Sequence, residues 1–404
     1  MEHQGVRGAM TEGSSYAKTI GHFGAPREWT TKPDHQDVEG WLERGRSFAH
    51  FLSEHRADLE DLRDRINLLK SSGLVTLLGP HRHGGGGQQW STAHRILRTI
   101  GAIDSDFARA LAHHYVWVWL AEFIGTAEKI DHIGKVAIRG TWFFGGAETP
   151  NQSTLRITDV GQDMIFNGVI SPTVGNNISD ITILEGRLDR TNQRISALAM
   201  STATGLRFVD VNDSAAEVSE SAEAVTVSDV SIPWTGALGH VDKRFQPRTY
   251  NRFLEPTLDL ALVNVRLGAL RGQLDSLVVD SEGTDRFIAD SPDAAALGSA
   301  VSALWATDAL ADLVASDADI LHSERAVVTQ ADYDDYISRV ASVSVQSELC
   351  LRHATEELAP RVRTSAYHPR TDEWLQARRL LIGRRFSAGE SSQTSATTSV
   401  LENF

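Results

Sequence analysis

The chain of 404 residues contains a single cysteine, Cys350. One thiol excludes an intramolecular disulfide, and it excludes any zinc or iron–sulfur centre built on clustered cysteines. Basic runs are also missing, and 39 Lys and Arg stand against 53 Asp and Glu, a formal charge of −14. An acidic chain without a local basic run makes nucleic acid a poor partner. Apolar stretches near the N-terminus are short and broken by charge, and no wholly apolar run reaches the roughly 18 residues that a bilayer span needs. These absences lead to the expectation of a cytoplasmic protein with no membrane partner. Two catalytic signatures are absent as well. No Lys-Ser/Thr follows the Gly84–Gly87 run, so it is not a nucleotide-binding P-loop, and no GxSxG elbow supports a serine hydrolase.

What remains is an ordinary globular composition, 41% apolar and 23% charged, long enough for two or three domains. The first 30 or so residues are polar and aperiodic and read as a loose leader. From Trp41 to Leu69, apolar residues fall at helical spacing, which predicts one or two amphipathic helices with Gly73 as C-cap. Pro80 and the four glycines predict a flexible loop. Ser91–Leu97 and Asp106–Phe123 read as two more helices, the second apolar all round and therefore buried.

Beyond Ile138 the period changes to alternation. Thr154–Thr158, Met164–Phe166, Ile181–Leu184, Ile195–Met200, Leu206–Val211 and Ala224–Val230 are β-branched and separated by turn residues, predicting a small antiparallel sheet or barrel. Helical patterning returns after Pro247, in Leu258–Val279, Ala294–Ala315, Asp332–Thr355 and Asp372–Ile382. The expected class is α+β and mostly α, with a leader and helical domain over 1–138, a β-domain over 139–240, a helical bundle over 241–386 and a flexible tail over 387–404.

Reactive side chains are chiefly histidines, at His81, His83, His113, His114, His353 and His368 among others. Imidazole suits zinc, copper or iron. His113 and His114, adjacent on a helix, point roughly 100° apart and cannot share an ion, so no metal is assigned. His81 and His83 read as solvated, His353 as structural, and His114 either as functional or as a core histidine satisfied by a backbone carbonyl. Trp117, Trp119, Trp142, Phe143 and Phe144 concentrate aromatic surface where helix gives way to sheet. They read either as core or as the wall of a pocket for a planar ligand.

Several segments stand in a telling order: Leu68-Leu69-Lys70-Ser71-Ser72-Gly73-Leu74-Val75, then Pro80 and Gly84–Gly87 with Trp90, and Asp104-Ser105-Asp106 leading to His113-His114. Phe166-Asn167-Gly168 with Gly175 and Ser179-Asp180 follows, then Leu267-Gly268-Ala269-Leu270-Arg271-Gly272, and finally Arg363-Thr364-Ser365-Ala366-Tyr367-His368-Pro369. Taken together they resemble the acyl-CoA dehydrogenase superfamily, and within it the flavin-dependent monooxygenase branch. The glutamate base of the dehydrogenases, in its Tyr-Glu-Gly context, has no counterpart.

The resemblance implies a two-component enzyme. FMN or FAD, reduced by a separate flavin reductase, would react with molecular oxygen to a C4a-peroxyflavin, which would oxygenate sulfur, nitrogen or an aromatic carbon of a small-molecule substrate. It implies His368 and His114 as catalytic donors, and Thr173, Gly175, Gly145 and Gly146 at the isoalloxazine edge. Strict alignment puts Val174 where the branch has a hydroxyl, and Thr173 serves after a one-residue shift. Arg286 meets either the flavin phosphate or a surface carboxylate, while Trp117, Trp142, Phe143 and Phe144 keep the substrate pocket dry. A homo-oligomer, dimer or tetramer, is implied too. The alternatives are a flavin oxidase or dehydrogenase on the same fold and a non-catalytic ligand-binding descendant.

Overall fold

The computed structural model describes residues 26–56, 58–59, 61–149, 154–210, 223–246, 253–282, 292–323 and 328–354. The predicted helix at Asp372–Ile382, the tail and residues 1–25 of the leader lie outside the described residues, as do Arg286 and His368. The end of the expected loose leader, Arg27–Thr30, is instead a 3₁₀ turn held by the buried Trp29.

Side-chain caps set most helix starts. Helix α1 (Val38–Glu54) begins where the Asp37 carboxylate accepts the Gly40 N–H, and α2 (Leu62–Ser72) where Asp61 accepts from Arg63. Gly73, at φ +80°, ends α2 in the left-handed conformation that a side chain would resist. Helices α3 (Trp90–Gly101) and α4 (Ser105–Ile124) follow, the latter capped by Asp104 and buried along most of its length. Helix α5 (Ala127–Gly140), capped by Thr126, is not among the sequence expectations. Its apolar residues Ile130, Ile133, Val136, Ala137 and Ile138 follow helical spacing and are the signal that could have found it.

The glycine loop is neither a flexible connection nor an anion cradle. The N–H groups of Gly85, Gly86 and Gly87 donate to the carbonyls of Pro80, Thr76 and Gly79 at 3.2, 2.9 and 2.8 Å. An added Cβ at Gly86 would lie 2.5 Å from the Leu77 carbonyl oxygen. The donors that would face a phosphate are spent on the chain itself.

All six predicted strand runs form strands: β2 (Leu155–Asp159), β3 (Asp163–Ile170), β4 (Ile181–Leu188), β5 (Arg194–Met200), β6 (Leu206–Asp210) and β7 (Glu223–Pro233). A short β1 (Phe144–Gly145) precedes them, and a two-stranded ribbon, β8 (His240–Val241) with β9 (Arg244–Phe245), ends the region. The large sheet runs β1-β4-β2-β3-β7-β6, with β5 on the other edge of β4. It is mixed, not antiparallel, because β1 and β2 both lie parallel to β4. Strand β4 separates two cores. Ile181 and Ile183 belong to the helical core, and Leu184 to the core of the sheet.

Three long helices complete the fold: α6 (Leu254–Glu282), α7 (Pro292–Ser323) and α8 (Gln330–Arg352), the last opened by a Thr329–Asp332 capping box. Gly268 and Gly272 let α6 approach α3 of the same chain. Cβ atoms there would lie 2.2 and 2.0 Å from the carbonyl oxygens of Arg98 and Ala102. The buried Arg98 guanidinium ties α3 to α6 and α7 by bonding Asn264 Oδ1 on α6 at 2.5 Å and Asp312 on α7 at 2.9 Å. Within α7, Ala295–Ser323 is long and apolar enough to cross a membrane by length and composition alone, and about a third of that window is buried. Its Asp308 pairs with both Arg98 and Arg271. Helix order, sheet and bundle match the expected α+β class.

Replacing Gly272 by Ala should therefore cost about 1–3 kcal/mol of stability through overpacking. Gly298→Ala on α7, where an added Cβ meets nothing within 4 Å, should gain about 0.5–1 kcal/mol. Urea denaturation midpoints of the two variants check both signs.

Candidate functional site

The aromatic segment Trp142–Ala147 runs through the joint between helices and sheet. Two side chains fix its start. The Asp180 carboxylate accepts the Phe143 N–H at 2.6 Å and the Lys70 ammonium at 2.6 Å, tying β1 to α2. On the other side, His114 of α4 accepts the Phe144 N–H at Nδ1 (3.0 Å), and its Nε2–H donates to the Val75 carbonyl at 2.9 Å. Its ring stacks on Phe143 with centroids 4.8 Å apart. These bonds require the neutral Nε2–H tautomer. Burial agrees, lowering the His114 pKa to about 4.

Both ring nitrogens of His114 are thus occupied by backbone. Of the two roles open to it in the sequence, the core histidine satisfied by a backbone carbonyl is the one its geometry fits. Neighbouring His113 turns the opposite way, its nitrogens 2.9 and 3.1 Å from the carbonyl oxygens of Arg109 and Glu148, and burial lowers its pKa too.

Thr173 meets the strand end. Its N–H donates to the Gly146 carbonyl at 2.8 Å, and its hydroxyl accepts the Gly146 N–H at 3.4 Å. The hydroxyl side chain at this joint is therefore Thr173, while Val174 is a partly buried apolar neighbour. Gly175 starts the 3₁₀ turn Asn176–Ile178 at φ +80°.

Gly145 and Gly146 open space for the protein itself. A Cβ on Gly145 would fall 2.0 Å from Asn176 Oδ1, and one on Gly146 would fall 2.8 Å from the Trp117 indole. Neither glycine face is open to an incoming ring as the sequence led one to expect. Trp117, Phe143 and Phe144 are each no more than 2% exposed. Trp142 is half-buried and packs back over Gly140.

Asn176 was not singled out in the sequence, since an isolated Asn after a glycine reads as a turn residue. Its Oδ1 accepts from Ser179 and Thr182 at 3.1 and 3.2 Å, and Ser201 joins the two hydroxyls at 2.8 Å each. Its Nδ2 and the Trp117 Nε1 are both buried without a hydrogen-bond partner among the described residues. A buried donor left unspent costs about 1–3 kcal/mol. Two such donors, with the Thr173 hydroxyl, lie beside the consecutive glycines at the end of β1 and just past it, and an acceptor-rich group is what would employ them.

No family model matches the chain. A dibenzothiophene monooxygenase of Rhodococcus erythropolis is 27% identical over 221 residues, covering 52% of this chain and 53% of that protein. The chain thus aligns over about half the length of the curated relatives it matches. Solved structures match far more of it. Dibenzothiophene monooxygenase TdsC from Paenibacillus sp. A11-2 superposes with a TM-score of 0.73 at 22% identity, covering 87% of this chain and 93% of that one. Methanesulfinate monooxygenase MsuC from Pseudomonas fluorescens gives 0.74 at 18% identity, covering 88% and 94%. The fold is that of the acyl-CoA dehydrogenases, and the resemblance to the monooxygenase branch expected from the motifs is present.

Two buried histidines set a pH dependence. His94 on α3 has neither nitrogen partnered among the described residues, and burial, with Arg98 and His322 nearby, lowers its pKa to about 3. In the unfolded chain both His94 and His114 titrate near about 6.5, so at lower pH the unfolded state binds protons that the native state refuses. Stability should fall as pH drops from about 6.5 toward 4, by up to about 1.4 kcal/mol per pH unit for each histidine. Melting temperatures recorded from pH 7.5 to 4.5 check this, and His94→Gln should make the slope shallower.

Proposed function

We propose that the chain is a reduced-flavin-dependent, two-component monooxygenase that places one atom of molecular oxygen on a sulfur, nitrogen or aromatic carbon of a small organic substrate. The second atom leaves as water, with both electrons drawn from the reduced flavin. The observation that carries this reading is the agreement of two comparisons: monooxygenases stand among the curated relatives by sequence and among the fold neighbours across most of the chain. FMN is the favoured cofactor, because TdsC has been solved with FMN bound, with FAD as the alternative. A separate flavin reductase would supply it.

The unspent donors at the joint are of the kind a flavin ring edge would take, once the Trp117 and Asn176 side chains packed beside the two glycines give way. Thr173 and Trp117, which both contact Gly146, would hold the ring edge, with Gly175 closing the turn beneath the loop. A bound reduced flavin would supply the electrons and activate oxygen. Phe143 and Phe144 exclude water from the same place. His114 acts as a positioning residue, since its nitrogens hold the Phe144 amide and the Val75 carbonyl. His368, outside the described residues, is the proposed proton donor at the transferred oxygen, and Arg286 the proposed partner of the flavin phosphate.

We further propose a cytoplasmic homo-oligomer. Trp305, Leu313 and Ile320 on α7 and Val345 and Leu349 on α8 are 52–65% exposed and offer an apolar face to a second copy.

Packing supports a second reading, a ligand-binding descendant without catalysis. Asn176 and Trp117 fill the space beside the two glycines, and both nitrogens of His114 are engaged.

An anaerobic titration with reduced FMN, then reduced FAD, followed by mixing with oxygenated buffer, separates the readings. Binding of reduced FMN and oxygenation of an added sulfide or indole are expected. Thr173→Val should weaken binding by about three- to tenfold, the share of one hydrogen bond. Tight binding with direct reoxidation and no product would indicate an oxidase, and no binding of either flavin would leave the descendant.

A further inference from the structure

A cavity of about 500 Å³ lies between α4 and β4, beyond the Gly145–Gly146 joint. Trp117 packs against Gly146 at the joint, and Leu120 and Ile124, which line the cavity, follow it at helical spacing along one face of α4. At about 1.5 Å of rise per residue, Ile124 stands about 10 Å along the helix from Trp117. Strand β4 runs past the same two places. Gly145 pairs with Thr182, and residues 181, 183, 185 and 187 alternate onto the face that meets the helices, where Ile181 and Ile183 belong to the helical core. Glu185 and Arg187, next along that face, line the cavity. Helix and strand thus lead side by side from the joint to the cavity.

The charges around the cavity cancel. Its described lining carries two acids, Glu185 and Glu255, and two bases, Arg187 and Arg194. All are engaged within the protein. Glu185, with a side chain 4% exposed, pairs with Arg194 at 3.4 Å and has a further interaction besides, and Arg187 donates to the Asn192 carbonyl at 3.3 Å. Glu255 is engaged as well.

His240 adds no charge to this balance. Its Nδ1–H donates to the Leu238 carbonyl at 2.9 Å, so Nε2 is the acceptor that faces the Gln193 amide at 3.1 Å. Burial lowers its pKa and keeps the ring neutral, and the Lys129 ammonium nearby is spent on the carbonyls of Ala237 and His240. Apart from these groups and the Ser196 hydroxyl, much of the wall is apolar, with Phe245 and Leu254 facing the α4 side chains. An ion entering such a space would lose its hydration and meet no unmatched countercharge, whereas an apolar body would lose nothing.

We propose that this cavity binds an uncharged organic molecule, an aryl or fused-ring body with a hydrogen-bonding heteroatom at most, and rejects the corresponding anion and cation. A volume of this size is ordinary for such a ligand. Calling the molecule the substrate rests on the monooxygenase reading, because the cavity adjoins the joint where the flavin edge is placed. On that reading the oxygen goes to the sulfur or an aromatic carbon of a neutral molecule, and sulfinates and protonated amines are excluded.

Calorimetric titration of the full chain without flavin tests the binding apart from the chemistry. The probes are methyl phenyl sulfide, benzenesulfinate and benzylamine, which share one ring and differ in charge. The sulfide is expected to bind at least about tenfold more tightly than either ion. Ile124→Trp and Leu120→Phe, which fill the cavity from α4, should each weaken the sulfide with unchanged circular dichroism and unchanged binding of reduced FMN. Glu185→Gln, which leaves one base unmatched, should narrow the preference for sulfide over sulfinate by at least about tenfold. Either ion binding as tightly as the sulfide, no binding of the sulfide, sulfide binding unchanged in both α4 variants, or a preference unchanged in Glu185→Gln would overturn the proposal. Selective binding of the sulfide without its oxygenation, once reduced FMN and oxygen are added, would support the cavity assignment and overturn the monooxygenase reading alone.

Discussion

Two backbone amides, those of Phe143 and Phe144, hold the helical layer to the sheet. One ends on the Asp180 carboxylate, which also holds Lys70 of α2, and the other ends on the His114 imidazole, whose far nitrogen reaches Val75. A strand two residues long cannot anchor itself by ladder bonds alone. Without these side chains β1 would not be fixed beside β4, and the order of the joint, glycines against Trp117 and Asn176, would be lost. Replacing either partner would leave a buried amide unpaired, which costs more than a typical hydrogen bond contributes.

The same economy governs the bundle. Helices α3 and α6 approach so closely that Gly268 and Gly272 have no room for a Cβ, and the Arg98 guanidinium beside this contact donates to Asn264 Oδ1 and is paired with Asp308 and Asp312. The two glycines, four apart, serve a contact within one chain. Exposed apolar residues lie away from this contact, Trp305, Leu313, Ile320, Val345 and Leu349 of them on α7 and α8.

Polar groups at the two candidate sites are held differently. At the Gly145–Gly146 joint the donors are buried and unspent, Trp117 Nε1 and Asn176 Nδ2, a cost that a bound acceptor would remove. At the α4–β4 cavity the groups are partnered, but unevenly, since Glu185 is deep and Arg194 is at the rim. The first arrangement suits a ligand rich in hydrogen-bond acceptors.

Much of the fold was legible because it follows from local rules. Six β-branched runs became β2 to β7, Gly73 took the left-handed cap, and the all-apolar pattern of α4 meant burial. Helix α5 was legible in its apolar spacing but passed over, whereas the parallel pairing of β4 with β1 and β2 depends on a crossover that no local pattern encodes. Thr173, Trp117 and His114 were singled out from residue type and resemblance. Whether a histidine nitrogen is free or bonded to a carbonyl 39 residues away is a different kind of fact. It arises when distant segments are packed together. So does the choice of neighbour that fills a glycine's empty side, or the depth at which a carboxylate lies. The sequence by itself determined the elements, the caps and the family likeness, because these depend on neighbours in the chain. The tertiary structure decided which donors are spent and where the open volume lies, because burial is a property of the packed whole.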